Sequence, residues 1–150
     1  MCGIAGLIDR QCVENDEELN RLGRAMASGI AHRGPDGEGI WTDVRAGLVL
    51  AHRRLAIVDL SEAGRQPMIS HNGRFALAYN GEIYNAEDIR RHALLADVSW
   101  RGHSDTEVIL ESVALRGLDA NSIRHERYVC LCIVGSAGTA IAPCARSHGD

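Results

Sequence analysis

Residues 3–8, Gly-Ile-Ala-Gly-Leu-Ile, form an unbroken run of small and apolar side chains, which predicts a short buried strand. Leu19, Leu22, Met26 and Ile30 then recur at helical spacing, with Glu14, Asp16, Glu17 and Glu18 gathered before and inside the first turn. Acids there complement the positive end of a helix dipole, so an amphipathic helix is expected. Residues 32–39, rich in Gly and Pro, read as a loop. Residues 47–51 and 55–59 look like two strands separated by the basic His52-Arg53-Arg54, and residues 61–67 read as a further loop. Phe75, Leu77 and Tyr79 alternate as in a half-buried strand, and Asn80-Gly81 is a hairpin-turn dipeptide leading into Glu82-Ile83-Tyr84.

A second helix is expected over residues 87–96. A third begins at Ser104, where Ser-Asp-Thr-Glu fits a capping box with Glu107, and Gly117 sits where a C-terminal cap belongs. Clustered strands with a few helices favour a layered α+β fold over regular βαβ alternation. After about Ala120 the pattern changes: residues 128–134 read as one strand, and residues 135–150 follow neither period.

The 150 residues suffice for one domain with its own core. At 45% hydrophobic and 24% charged, the composition is that of a globular domain. No apolar run is long enough to cross a membrane, and the first residues lack the basic flank of a signal peptide, so a cytoplasmic location is expected. A net charge of −4 gives no polyanion-binding surface, so no nucleic-acid partner is expected. Five cysteines at irregular spacing argue against a disulfide framework. Cys130 and Cys132 lack zinc-site spacing, and no metal is expected.

Few residues offer chemistry. With Met1 removed, Cys2 would carry a nucleophilic thiol and an α-amine able to take its proton, with no separate His required. Taken by position alone, a second-position Cys is more often a small packed side chain. Asn80-Gly81 is a turn, or an oxyanion hole built from a side-chain amide and a backbone N–H. Arg54 and Asp105 are a solvated pair, or the partners of an amino acid's carboxylate and ammonium. His32, His52 and His103 carry no comparable case.

Five segments in this order closely resemble the class II glutamine amidotransferases, the amino-terminal-nucleophile (Ntn) glutaminase domains. They are Met1-Cys2-Gly3-Ile4-Ala5-Gly6, His32-Arg33-Gly34-Pro35-Asp36-Gly37, His52-Arg53-Arg54-Leu55-Ala56-Ile57-Val58-Asp59, Asn80-Gly81-Glu82-Ile83-Tyr84-Asn85 and Ser104-Asp105-Thr106-Glu107. The Arg-Gly-Pro-Asp-Gly loop, the Arg-Leu-x-Ile-Val-Asp segment and Gln66-Pro67 point to the glutamine-hydrolysing asparagine synthetase branch. The resemblance covers about residues 2–118 and implies a four-layer αββα sandwich, incomplete at its C-terminal strands. It implies that Cys2 attacks the glutamine side-chain amide and that Asn80 and Gly81 stabilise the oxyanion. Arg54, Asp105 and Glu82 would hold the substrate's carboxylate and ammonium, and backbone of Leu55, Ile57 and Val58 would line the pocket. No cofactor is implied for this step; ATP and Mg belong to a synthetase domain that normally follows in the same chain. L-Glutamine is the implied ligand, with a homodimer as one option.

The resemblance divides the chain into a partial amidotransferase domain, residues 1–121, and an atypical tail, residues 122–150. Read one base later with permissible codons, residues 124–150 spell a peptide containing Asn-Gly-Met-Phe-Ala-Phe-Ala-Leu-Trp-Asp, the strand pair that the family places here. A frameshift near residues 119–124 is therefore expected, and two alternatives stand beside the glutaminase reading. One is a non-catalytic remnant or glutamine-binding fragment; the other is the amidotransferase part of a synthetase with a different acceptor.

Overall fold

The structure, a computed structural model, describes residues 2–9, 15–56, 61–92, 95–116 and 130–135, with Arg116 and residues 130–135 as backbone only. It is α+β and divides into two compact units. The first comprises Met1–Ile57 and Arg65–Pro67, the second Val58–Gly64 and Met68–Asp150.

In the first unit, β1 (Gly3–Ile8), β2 (Gly37–Asp43) and β3 (Leu48–Arg54) form an antiparallel sheet of order β1-β3-β2. The helix α1 (Asp16–Gly29) packs on this sheet, burying Leu19, Gly23 and Ala27. Asn15 caps it by accepting the Glu18 N–H at 2.8 Å, a contact worth about 1 kcal/mol. The strand at 3–8 is where the pattern put it, but it lies at the sheet edge, with Leu7 38% exposed.

The basic triplet does not interrupt a strand. β3 runs through His52, Arg53 and Arg54, paired to β1 through Gly3↔Arg53 and to β2 through Gly37↔Arg54. Backbone pairing is indifferent to side-chain charge, and Arg53 finds partners, donating Nε to the Gly34 carbonyl at 2.9 Å and Nη1 to Glu38 Oε2 at 3.0 Å. Leu55 and Ala56 lie beyond the strand, and residues 57–59 of the expected second strand lie outside the described residues.

The supposed loop at 32–39 is half strand. Residues 37–39 open β2, and Gly39 is there for clearance: a Cβ on it would stand 1.9 Å from the Gln66 carbonyl oxygen. The Gln66–Pro67 peptide is cis.

In the second unit, β4 (Met68–Ile69), β5 (Phe75–Asn80) and β6 (Cys130–Gly135) form an antiparallel sheet of order β4-β5-β6. β6 overlaps the stretch read as a strand at 128–134 and extends one residue past it, to Gly135. The hairpin expected at Asn80-Gly81 does not form. β5 ends at Asn80 and the chain turns into α2 (Ala86–Arg90), because the Ile83 N–H goes to the Asp105 carboxylate at 3.1 Å instead of to a returning strand. α2 is shorter than the expected 87–96.

The third helix, α3 (Asp105–Arg116), starts as read, with the Glu107 N–H donated to Ser104 Oγ at 3.2 Å. The capping box is only half made, since the Glu107 carboxylate turns to Arg101 and Gly102. Gly117 lies outside the described residues. α3 is buried from Thr106 to Ala114, and Ile109, Leu110 and Val113 join Leu77, Tyr79 and Ile83 in the core of this unit.

Candidate active site

The residues singled out for chemistry divide between the two units. Cys2, Arg54 and Leu55 belong to the first; Asn80, Gly81, Glu82 and Asp105 belong to the second. Ile57 and Val58 lie outside the described residues.

Cys2 stands at the head of β1 and is half-buried. The Leu55 N–H points at its sulfur with N···Sγ 3.4 Å, and the thiol reaches the Leu55 carbonyl at 3.7 Å. One backbone donor and one backbone acceptor therefore fix where the thiol sits. The turn that carries Leu55 is braced by Asp36, whose own N–H bonds the Arg54 carbonyl at 3.0 Å while its Oδ2 accepts the Ala56 N–H at 2.9 Å. Gly34 makes this loop possible, because a Cβ there would lie 2.4 Å from the carbonyl carbon and oxygen of Arg53. Asp36 is a positioning residue that the reading of the chain left without a role; its one signal is the Arg-Gly-Pro-Asp-Gly motif.

In the second unit Asn80 ends β5, half-buried, with its backbone in register with Cys130, and Gly81 and Glu82 follow on exposed chain. Asp105, the first residue of α3, has its carboxyl raised above the usual range, first by burial and then by the nearby Glu82 charge. Hydrogen bonds from the Ile83 and Thr106 backbones pull the other way. The buried Tyr79 hydroxyl is raised well above its ordinary value by burial and then by Asp105 and Glu82. Asp105 and Glu82 thus repel one another and disfavour ionisation of the Tyr79 phenol, and a cation placed there would be favoured. Tyr79 had read only as a core residue, because alternation along a strand says nothing of what a buried hydroxyl faces.

His52 is buried within β3, whereas His32 and His103 are exposed. Among the described residues there is no His, Cys, Asp and Glu cluster able to hold a metal ion, and no helix long and apolar enough to cross a membrane.

The sequence model of the glutamine amidotransferase domain matches residues 1–133. The chain belongs to that family. The amidotransferase is 38% identical over 116 residues to an asparagine synthetase [glutamine-hydrolyzing] of Bacillus subtilis, covering 75% of this chain and 18% of that protein. It is 37% identical over 120 residues to a probable asparagine synthetase [glutamine-hydrolyzing] of Dictyostelium discoideum, covering 79% and 21%. It is 36% identical over 118 residues to the amidase chry2 of Gibberella zeae, covering 73% and 17%. The amidotransferase thus spans about a fifth of the length of these curated relatives. It is a class II domain of the asparagine synthetase type.

Proposed function

We propose that this chain hydrolyses L-glutamine to glutamate and ammonia through a γ-glutamyl thioester on Cys2. The observation that carries the reading is the thiol at the head of β1, held by both backbone groups of Leu55 in a chain of this family. Once Met1 is removed, the Cys2 α-amine takes the thiol proton as sulfur attacks the side-chain amide carbon. The Asn80 amide and the Gly81 N–H donate to the oxyanion. Collapse of the intermediate breaks the carbon–nitrogen bond, and the α-ammonium returns its proton to the departing ammonia. Water then adds to the thioester carbon, giving a proton to the amine, and glutamate leaves as the thiol re-forms.

Arg54 takes the substrate carboxylate in this scheme. Asp105 and Glu82 take its ammonium, which their mutual repulsion supports. Leu55, Ile57 and Val58 contribute pocket backbone. No metal or organic cofactor takes part in these steps in this scheme, which reserves ATP and Mg for the reaction of a synthetase domain. The finer reading also includes the four-layer αββα Ntn sandwich, a cytoplasmic location and a synthetase partner domain, with a homodimer as one assembly. The acceptor is open on this reading, since one relative is named an amidase and others asparagine synthetases.

Ammonia release from L-glutamine by the full chain tests the reading. Wild-type chain should release it and Cys2→Ala should not, while an electrophilic glutamine analogue should add one glutamyl-sized label at Cys2 alone. Equal turnover by Cys2→Ala would overturn it. Labelling without turnover would favour a glutamine-binding fragment.

A further inference from the structure

Asp105 is the first residue of α3, so its carboxylate is placed by whatever fixes the chain entering that helix. Residues 98–104 form no helix or strand, yet they are gripped from two sides. From α3, the fully buried Glu107 accepts the Arg101 N–H and Nε through Oε1, both at 2.9 Å, and the Gly102 N–H through Oε2 at 3.0 Å. From α2, Arg90 donates Nη1 to the Gly102 carbonyl at 3.0 Å and lays its guanidinium 4.4 Å from the centre of the Trp100 ring. Both backbone groups of Gly102 are thus taken by charged side chains of opposite sign from different helices. Hydrogen bonds to ionised partners are roughly twice as strong as neutral ones.

Arg90 also ends the stretch that begins with Asn80, Gly81 and Glu82. That stretch meets Asp105 directly once, where the Ile83 N–H reaches Oδ2 at 3.1 Å. Arg90 adds a second tie to the same approach, and its side chain is only 14% exposed, with Glu87 Oε1 3.9 Å from Nε. The Asp105 carboxylate itself is held by the Ile83 N–H and by Thr106, whose hydroxyl lies 3.5 Å from Oδ1, while Arg90 and Glu107 fix the chain that delivers it.

We propose that Arg90 is a positioning residue for the substrate's α-ammonium, acting through Gly102 on Asp105. The inference rests on the reading that Asp105 takes that ammonium. A misplacement of about 1 Å at a binding group is enough to cost most of its contribution. Loss of Arg90 should therefore weaken recognition of the ammonium while leaving the rest of the ligand's contacts intact.

The test compares two ligands on the full chain carrying Cys2→Ala, which binds without turnover: L-glutamine, and glutaramate, which lacks the α-amine. Asp105→Ala should abolish the preference for L-glutamine. Arg90→Met, which keeps the aliphatic stem, should raise the Kd for L-glutamine about tenfold, equal to some 1.4 kcal/mol, and leave that for glutaramate unchanged. Arg90→Lys, still able to donate to the Gly102 carbonyl, should recover part of the preference.

An unchanged preference in Arg90→Met, or an equal loss for both ligands, overturns the positioning role while the Asp105 assignment survives. A preference that persists in Asp105→Ala overturns the ammonium reading and this inference with it. Should Arg90→Met fail to fold, Arg90→Gln keeps the stem and an N–H donor. It is then expected to lose part of the preference, and full preference in folded Arg90→Gln overturns the proposal.

Discussion

Leu55 holds the sulfur of Cys2 with both of its backbone groups, its N–H at 3.4 Å and its carbonyl at 3.7 Å. The Leu55 side chain takes no part in that contact, so a mutation at Leu55 itself would leave it in place. What can disturb it is the brace beneath, where the Asp36 carboxylate accepts the Ala56 N–H at 2.9 Å. Asp36→Ala is expected to slow alkylation of Cys2 by iodoacetamide several-fold, whereas Asp36→Asn, which keeps an acceptor, should react nearly as wild type. Timed alkylation with mass detection reads the difference, and identical rates for the two variants would disprove the brace.

Two glycines make opposite predictions for one methyl group. Gly39→Ala would place a Cβ 1.9 Å from the Gln66 carbonyl oxygen, backbone that cannot step aside cheaply. It should cost about 3 kcal/mol, the upper range for overpacking. Gly29, the last residue of α1, has nothing within 4 Å of such a Cβ. Gly29→Ala should instead stabilise the chain by about 0.5–1 kcal/mol through helix propensity. Urea midpoints of the two variants, at unchanged slope, check both signs.

Asp105 predicts a conflict between stability and binding. Its carboxyl is raised by burial and then by Glu82, so its ionised form is disfavoured more in the folded chain than in the unfolded one. Stability therefore falls as pH climbs from the unfolded carboxylate value of about 3.9 through the higher folded value. Asp105→Asn removes that charge while its side-chain carbonyl can still accept the Ile83 N–H. The variant should melt a few degrees above wild type at pH 7, converge with it near pH 4, and bind L-glutamine less well. A melting series across that range, paired with one binding titration, decides it.

Glu107 runs the other way. Burial would raise its carboxyl, but hydrogen bonds from Arg101 and Gly102 outweigh burial and hold it below the usual range. Its contribution is complete above the unfolded value of about 4.3 and is lost as pH falls through the lower folded value. Glu107→Gln should cost about 2 kcal/mol at neutral pH, in line with lost bonds to a charged acceptor. Denaturation at pH 7 and in acid should show that deficit shrinking as wild type itself becomes protonated.

The elements legible from the sequence were those whose pattern and packing agree. α1 has one apolar stripe and acids at its start, and α3 has Ser104 at its N-cap. β2 was hidden because Gly37 and Gly39 look like loop residues, whereas Gly39 serves to admit the Gln66 backbone. β3 was cut short at Ala51 because His52-Arg53-Arg54 looks polar, while the strand that ends in it pairs on both edges. At the site, Cys2, Asn80 and Asp105 could be named through their resemblance to a family. The grip of Leu55 on sulfur and that of Arg90 on Gly102 could not, since both end on backbone atoms that leave no mark in residue identity.

Asn80 lies at the last rung of β5, opposite Cys130 of β6. β5 is held on its other side by β4 and by α3, so what β6 adds is the pairing of the remaining edge of β5, up to the rung at Asn80. Residues 130–135 thus close the sheet edge beside a group fifty positions upstream in the chain. Splicing in a segment unable to pair there, with every residue named for catalysis untouched, would leave the backbone of Asn80 on an open edge.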